Sequence, residues 1–393
     1  MNDERIIQQV DIEQIYRHVL NLEGPCYPLD NMLELNEAAE YIYDELESYG
    51  LKVEFQEFKV SDLDDTFKNI LGYIGDQNSP AILIGSHYDT VPNCPGANDN
   101  FSAVAISLEV ARIMAQLENP PSIIIASFTL EEGDPGLMKK RRDLGLKYGI
   151  FDSQWRYSTA QMHQIMRECD KLIIKYFRAR KNVGEAVQTV IEQNKEQLSK
   201  SNLEFLKALQ NFYSDLNPLK GAEERFLVGS NHFVDSLSSE SQSIKGVINY
   251  DAVGWIREEH KTHRLPSIPP DFWTSYRVDW EKEIGNFMYI LCDQNSNSLL
   301  DKFLEKCELK EIDVPYIGIK APMGYEQINQ QFPDLLRTDH APFWRHNIPA
   351  ISIVDGANFR TELYHTPADT SQFMDFRSLE KLSKATIATL LDF

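Results

Sequence analysis

Cysteine is scarce. The 393 residues hold five (Cys26, Cys94, Cys169, Cys292 and Cys307), odd in number, widely spaced and without a CxxC pair. They read as reduced thiols of a cytoplasmic protein rather than a disulfide frame. Long apolar runs are missing as well: no stretch approaches the ~20 residues that span a bilayer. The first residues are acidic and polar, with no secretory pattern, so no membrane partner is expected. Positive charge is also short, with 39 Lys plus Arg against 60 Asp plus Glu and a net charge of -21. Nucleic acid and anionic membranes need a basic face, and neither suits this chain. What remains is ordinary for a globular protein, 42% apolar and 25% charged, and long enough for one large domain or two.

The apolar pattern alternates between two periods. Leu35, Ala38, Ala39, Ile42 and Leu46 recur at helix spacing and stop at Gly50, a favoured helix-ending residue. Residues 53–58 alternate like a strand, and 69–74 read as another. Four later runs, 81–84, 123–128, 246–250 and 350–354, are short and almost wholly apolar, which suits strands covered on both faces of a largely parallel sheet. Val104, Leu108, Ala111 and Ala115 mark a helix between the first two, and Leu379, Leu382, Thr386 and Leu390 mark a closing helix. The expected fold is α/β, a mixed, largely parallel central sheet sandwiched by helices. Residues 1–134 and 227–393 would form it. Residues 135–226, polar and helical without a central strand, would be an insertion. Residues 257–283, rich in Pro and aromatics, read as an irregular surface loop.

In an open α/β sheet the site lies beyond the carboxyl ends of the strands, and there the chemistry-bearing residues collect. His87 and Asp89 follow the first buried run, Glu131 and Glu132 the second, Asp251 the third, and Tyr364 and His365 come after the fourth. Asp99 lies between Asn98 and Asn100 just before a helix. Singly each is a common surface pattern; their shared location carries the argument. His87, Asp99, Glu132, Asp251 and His365 form a mixed imidazole and carboxylate set that suits zinc or a similar divalent ion. Five donors are too many for one open tetrahedral zinc, but fit two ions ~3.5–4 Å apart if one carboxylate bridges. Asp99 is the candidate bridge. Glu131, beside a ligand, is placed to act as general base, and Asp89 to accept the second His87 N–H. Asp369 is a weaker candidate for the same service to His365.

The blocks His87-Tyr88-Asp89-Thr90-Val91, Gly96-Ala97-Asn98-Asp99-Asn100, Glu131-Glu132, Asn249-Tyr250-Asp251, Thr338-Asp339-His340-Ala341-Pro342-Phe343 and Tyr364-His365-Thr366-Pro367 resemble the co-catalytic zinc aminopeptidases. That family also contains glutaminyl cyclases and glutamate carboxypeptidases. The resemblance implies two zinc ions, one on His87 and one on Glu132 with Asp99 bridging, Asp251 and His365 completing the set, and Glu131 as base. A peptide would be the substrate. The chain departs from the family pattern after Glu132, where a short Gly-Leu-x-Gly-Ser-containing loop is usual. Here the helical stretch intervenes before Gly229-Ser230. It would be either a cap over the active-site mouth or a contact that makes the protein a homo-oligomer.

The expected activity is release of the N-terminal residue from peptides. A glutaminyl cyclase is the nearest rival, but relatives of that kind tend to carry Trp where this chain has Tyr364. A carboxypeptidase for acidic C-terminal residues would use Arg360 or the basic run 139–142, and an inactive binding module would have lost ligands that are intact here. Asp339, His340 and Tyr364 are candidates to orient the base or bind the oxyanion. Arg360 would hold a substrate carboxylate or its own loop. Cys94 would line the pocket or be a small buried thiol.

Overall fold

β-branched runs set the centre of the sheet. The strands β1 (Lys52–Phe58), β2 (Phe67–Ile74), β3 (Ala81–His87), β4 (Ile123–Phe128), β5 (Ile244–Tyr250), β6 (Trp273–Tyr276), β7 (Met288–Cys292), β8 (Tyr316–Lys320) and β9 (Ala350–Val354) join in the order β1-β2-β4-β3-β5-β9-β7-β8-β6. The computed structural model describes residues 3–61, 63–152, 156–179, 181–216, 225–237 and 243–393. Every residue of β3 and β4 is buried. Successive side chains point to opposite faces, so both faces of the sheet are covered there. Cutting back one fully buried side chain of β3, Ile82 or Ile84, to alanine removes about 2–5 kcal/mol of stability.

The ladder is parallel between β4 and β3, β3 and β5, β5 and β9, and β7 and β8. It is antiparallel between β1 and β2, β2 and β4, β7 and β9, and β6 and β8. The sheet is therefore evenly mixed, and the largely parallel sheet expected from the apolar runs is confined to its centre. An apolar run reports coverage of both faces, not direction. β7 is buried along its whole length and still runs antiparallel to β9. The span 257–283 is likewise more than a loop, for it contributes β6, an edge strand on β8.

Helix Met32–Ser48 buries the expected stripe of Leu35, Ala38, Ala39, Ile42 and Leu46. Gly50, at φ 89°, then takes a left-handed conformation that suits glycine. Helix Ser102–Met114 is buried almost all round and packs against helices Ile12–Leu22 and Phe376–Leu390. Among the described residues no helix is long and apolar enough to cross a membrane.

The chain divides into two compact units: Met1–Lys59, Thr66–Glu132 and Gly229–Phe393 make one, Val60–Asp65 and Gly133–Val228 the other. The second unit carries helices Pro135–Lys147, Ala160–Arg178, Val183–Asn194 and Lys200–Ser214 around Met162, Met166, Val187, Val190, Phe205 and Leu209. Two residues of its basic run pair internally, Lys139 2.8 Å from Asp143 and Arg141 2.7 Å from Asp170.

Candidate metal centre

Because β4, β3, β5 and β9 run parallel, their carboxyl ends share one edge, and whatever follows them is brought together. His87 closes β3, Glu131 and Glu132 follow β4 after a short turn, Asp251 follows β5 directly, and the loop after β9 leads to His365. Left-handed backbone at Leu130, Ala252 and His365 turns the chain at or beside these candidates. Such a conformation costs roughly 1–3 kcal/mol per non-glycine residue, and proteins keep it mainly at functional sites.

Asp99 arrives differently, on the turn Ala97–Phe101 that leads into helix Ser102–Met114. Gly96 opens the turn at φ 68°, where a Cβ would come within 2.4 Å of Thr90 Cγ2. Asp369 then fixes the turn by accepting the Asn98 N–H at 2.9 Å and the Asp99 N–H at 3.1 Å. Asn98 Oδ1 accepts the Gly254 N–H at 2.6 Å, and Asn98 Nδ2 donates to Asp355 at 3.0 Å. Asn100 Nδ2 donates to the Tyr250 carbonyl and its Oδ1 accepts the Ala252 N–H, both at 3.0 Å. These bonds stitch the Asp99 turn to the segment that carries Asp251.

The candidates converge. His87 Nε2 lies 3.3 Å from Asp99 Oδ1, 3.8 Å from Glu131 Oε2 and 3.9 Å from Asp251 Oδ1. His365 Nε2 lies 3.0 Å from both Asp99 Oδ2 and Glu132 Oε1. Donors held at 2.0–2.1 Å around a tetrahedral zinc stand about 3.3 Å apart, the range seen here. His87 Nε2, Asp99 Oδ2 and His365 Nε2 are buried yet hydrogen-bonded to nothing. Buried polar atoms without partners are rare in native proteins, and a cation among them would satisfy all three. Two donor groups of this kind stand out, His87 with Glu131 and Asp251, and His87 with Asp99 and Glu132.

The electrostatics carry the same signature. Burial pushes Glu131, Glu132 and Asp251 above the usual carboxylate range. For His87 and His365 burial works against the charged form, but the surrounding carboxylates outweigh it. They hold His87 well above its ordinary value and lift His365 to about 10. Asp99 also meets a burial penalty, which its contacts with His365 and His87 overcome to hold it below the ordinary range. Without an ion, the surrounding carboxylates favour the protonated form of both histidines.

The remaining sequence candidates separate. Asp89 was expected to accept the second His87 N–H through its carboxylate. The hydrogen bond from Nδ1 runs instead to the Asp89 backbone carbonyl at 3.1 Å, with the carboxylate 3.6 Å away. That carboxylate accepts the backbone N–H groups of Glu131 and Glu132. Asp369 serves Asp99 rather than His365. Asp339 is buried, accepts the Ser230 hydroxyl at 2.5 Å and titrates near 7, raised mainly by burial; its charge acts on Glu131. His340 is occupied elsewhere: Nδ1 lies 2.6 Å from Thr338 Oγ1 and Nε2 2.9 Å from the Leu335 carbonyl. Of the two roles open to Arg360, its contacts fit the brace for its own loop. It is buried, donates to the carbonyls of Phe287 and Asp355, and stacks over Phe287 and Tyr289, so it holds its own loop without a salt bridge. Cys94 is buried, with Sγ 3.8 Å from Asp369. Tyr364 stacks on His365 and receives a hydrogen bond from Arg337, which the sequence reading passed over. Its signal was adjacency: Arg337 directly precedes the Thr338-Asp339-His340 block.

An α/β sheet with imidazole and carboxylate donors gathered beyond its parallel strands defines a metal-dependent hydrolase. The model of Peptidase family M28 matches residues 69–165 and 219–390, and the chain belongs to that family of zinc-dependent hydrolases. YfbL of Escherichia coli (strain K12), itself called an uncharacterized protein, is 23% identical over 388 residues, 96% of this chain and 87% of its own length. A leucine aminopeptidase precursor from Bacteroides thetaiotaomicron superposes with a TM-score of 0.58 at 16% identity, covering 98% of both chains. A glutaminyl cyclase from Porphyromonas gingivalis does so with a TM-score of 0.57 at 16% identity, again over 98% of both. At such identities the solved structures share the fold with this chain.

Proposed function

We propose that the chain is an aminopeptidase that releases the N-terminal residue from peptides at a site for two zinc ions, with Glu131 as general base. One observation carries the reading: the two carboxylate oxygens of Asp99 each face a different histidine, His87 on one side and His365 on the other. A carboxylate shared in this way suits a pair of ions. Asp99, His87 and Asp251 would hold one, and Asp99, Glu132 and His365 the other. Zinc bound there supplies Lewis acidity toward a water and toward the substrate carbonyl oxygen.

The chain's own groups do the rest. Glu131 stands in the same donor group as His87 and Asp251, and this reading gives it the proton rather than an ion. Its carboxylate takes a proton from the attacking water and passes it to the departing amine. Tyr364 donates a hydrogen bond from its hydroxyl to the carbonyl oxygen as negative charge grows there. Asp89 and Asp369 hold the backbone that carries Glu131, Glu132 and Asp99.

The test is mass spectrometry of a short-peptide library with and without a chelator, including peptides that begin with Gln and peptides that end in Glu. Chelator-sensitive loss of the first residue is expected. A second reading, cyclisation of N-terminal glutamine, draws on the cyclase that shares the fold over nearly its whole length, and loss of ammonia from Gln-initiated peptides would install it instead. Loss of the last residue would point to a carboxypeptidase. No chelator-sensitive change in any peptide would overturn the enzymatic reading for peptides.

A further inference from the structure

Residues 337–340 are held rigidly. Thr338 Oγ1 accepts from Asn249 Nδ2 at 3.2 Å and lies 2.8 Å from Ser352 Oγ and 2.6 Å from His340 Nδ1. Asp339 is tied to Ser230 and His340 to the Leu335 carbonyl. Arg337 leaves this segment toward Tyr364, with Nη2 donating to the phenol oxygen at 3.4 Å. Tyr364 lies flat on His365, ring centroids 3.7 Å apart and planes 19° from parallel, so its ring cannot turn without unstacking.

A phenol has one proton to give and two lone pairs to accept with, whereas a guanidinium only donates. The Arg337 bond therefore takes up a lone pair on one side of the Tyr364 oxygen and leaves the proton to point away from it. Neither the motif pattern nor the ligand set gives Arg337 any part in the site.

We infer that Arg337 is a positioning residue: it holds the Tyr364 hydroxyl so that its proton meets the substrate's carbonyl oxygen, and its charge strengthens that hydrogen bond as the oxyanion develops. The inference rests on the aminopeptidase reading and deepens it. A cation bound to the phenol oxygen polarises the O–H, and the benefit grows as charge accumulates on the acceptor. It should therefore show in kcat more than in KM.

The experiment is a double-mutant cycle on the zinc-loaded full chain, with leucyl and glutamyl p-nitroanilides as neutral and acidic probes. Loss of the oxyanion donor in Tyr364→Phe is expected to lower kcat about 100-fold. Arg337→Met should lower it about tenfold on both probes with KM nearly unchanged, and Arg337→Lys should recover part of the loss. In the Tyr364→Phe background, Arg337→Met should change nothing further. Affinity for a leucine phosphonate analogue of the tetrahedral adduct should repeat that pattern without turnover. Zinc content and thermal midpoint are matched to wild type first, and Arg337→Lys carries the cycle if Arg337→Met does not fold. Additive losses would overturn the inference, as would a loss confined to KM for the glutamyl probe, which would make Arg337 a carboxylate receptor. Unchanged kcat in Tyr364→Phe would overturn it too, while leaving the aminopeptidase reading intact. That reading fails separately, if the wild-type enzyme releases no N-terminal residue.

Discussion

Asp89 Oδ1 accepts the backbone N–H of Glu131 at 3.0 Å, and its other oxygen accepts that of Glu132 at 3.2 Å. One buried carboxylate therefore sets the proposed base and a proposed ligand together, while its own carbonyl takes the His87 Nδ1. Asp89→Asn turns an amide N–H₂ against one of those two N–H groups. Turnover is expected to fall about 10–100-fold, with a matching loss of zinc affinity, as for other groups that orient ligands. Metal analysis beside steady-state kinetics checks both. Wild-type values of each would mean that the turn holds its shape without the carboxylate.

Glu131→Gln separates proton transfer from metal binding. The amide keeps the size of the side chain but cannot take a proton at neutral pH. A loss of roughly 10²–10⁴ in kcat is expected, with zinc stoichiometry by plasma mass spectrometry unchanged. A variant that loses one equivalent of zinc would move Glu131 from base to ligand. A variant that keeps its activity would remove it from the mechanism.

The strand-end logic made most of the site legible, and its limits are physical. His87, Glu131, Glu132 and Asp251 each lie at or within four residues of the end of a buried strand, so burial pattern and chemistry coincide in the sequence. β7 (Met288–Cys292) and β8 (Tyr316–Lys320) are not read as strands, although β9 is no longer than either, and with them goes the direction of the flanking strands. Asn98, Asn100 and Asp355 act through side-chain bonds to partners 100 to 257 residues away, and such bonds leave no periodicity. Arg360 stays open in the sequence for a related reason. An arginine in a loop near a ligand reads equally as a receptor for substrate or as a brace for its loop. Only its burial beside Phe287 and Tyr289 favours the brace.

Asp355 predicts a pH dependence with a definite sign. Its carboxylate is buried beneath the site, accepting from Asn98 Nδ2, the Trp255 N–H at 2.6 Å and the Ala357 N–H at 2.7 Å. Burial outweighs these bonds and raises it from 3.8 to about 7. Between those values the folded state keeps a proton that the unfolded chain has released. The stabilising contribution is therefore full below the lower value and lost as pH rises through about 7. Asp355→Asn cannot titrate, so its deficit in thermal midpoint relative to wild type should shrink between about pH 5.5 and about pH 8.5. A deficit that stays constant instead would mean the carboxylate is ionised throughout that range.

Metal removal should destabilise the sheet unit, and more so at alkaline pH. The carboxylates around His87 and His365 favour protonated imidazoles in the absence of an ion, His365 up to about 10. An imidazole must give up its proton to bind zinc, so protons compete with the ion, and zinc affinity rises with pH across the neutral range. Free zinc at 100 times its dissociation constant adds about 2.7 kcal/mol to stability, which in a unit as large as this one raises the melting midpoint by about 4 °C. The drop on adding a chelator should therefore be larger at about pH 8 than at about pH 6. Titration calorimetry in buffers of different ionisation enthalpy should also register protons released as zinc binds. A midpoint indifferent to chelator at both pH values would mean that the buried, unpartnered donors of His87, Asp99 and His365 are not zinc ligands, and the two-ion reading would fall with them.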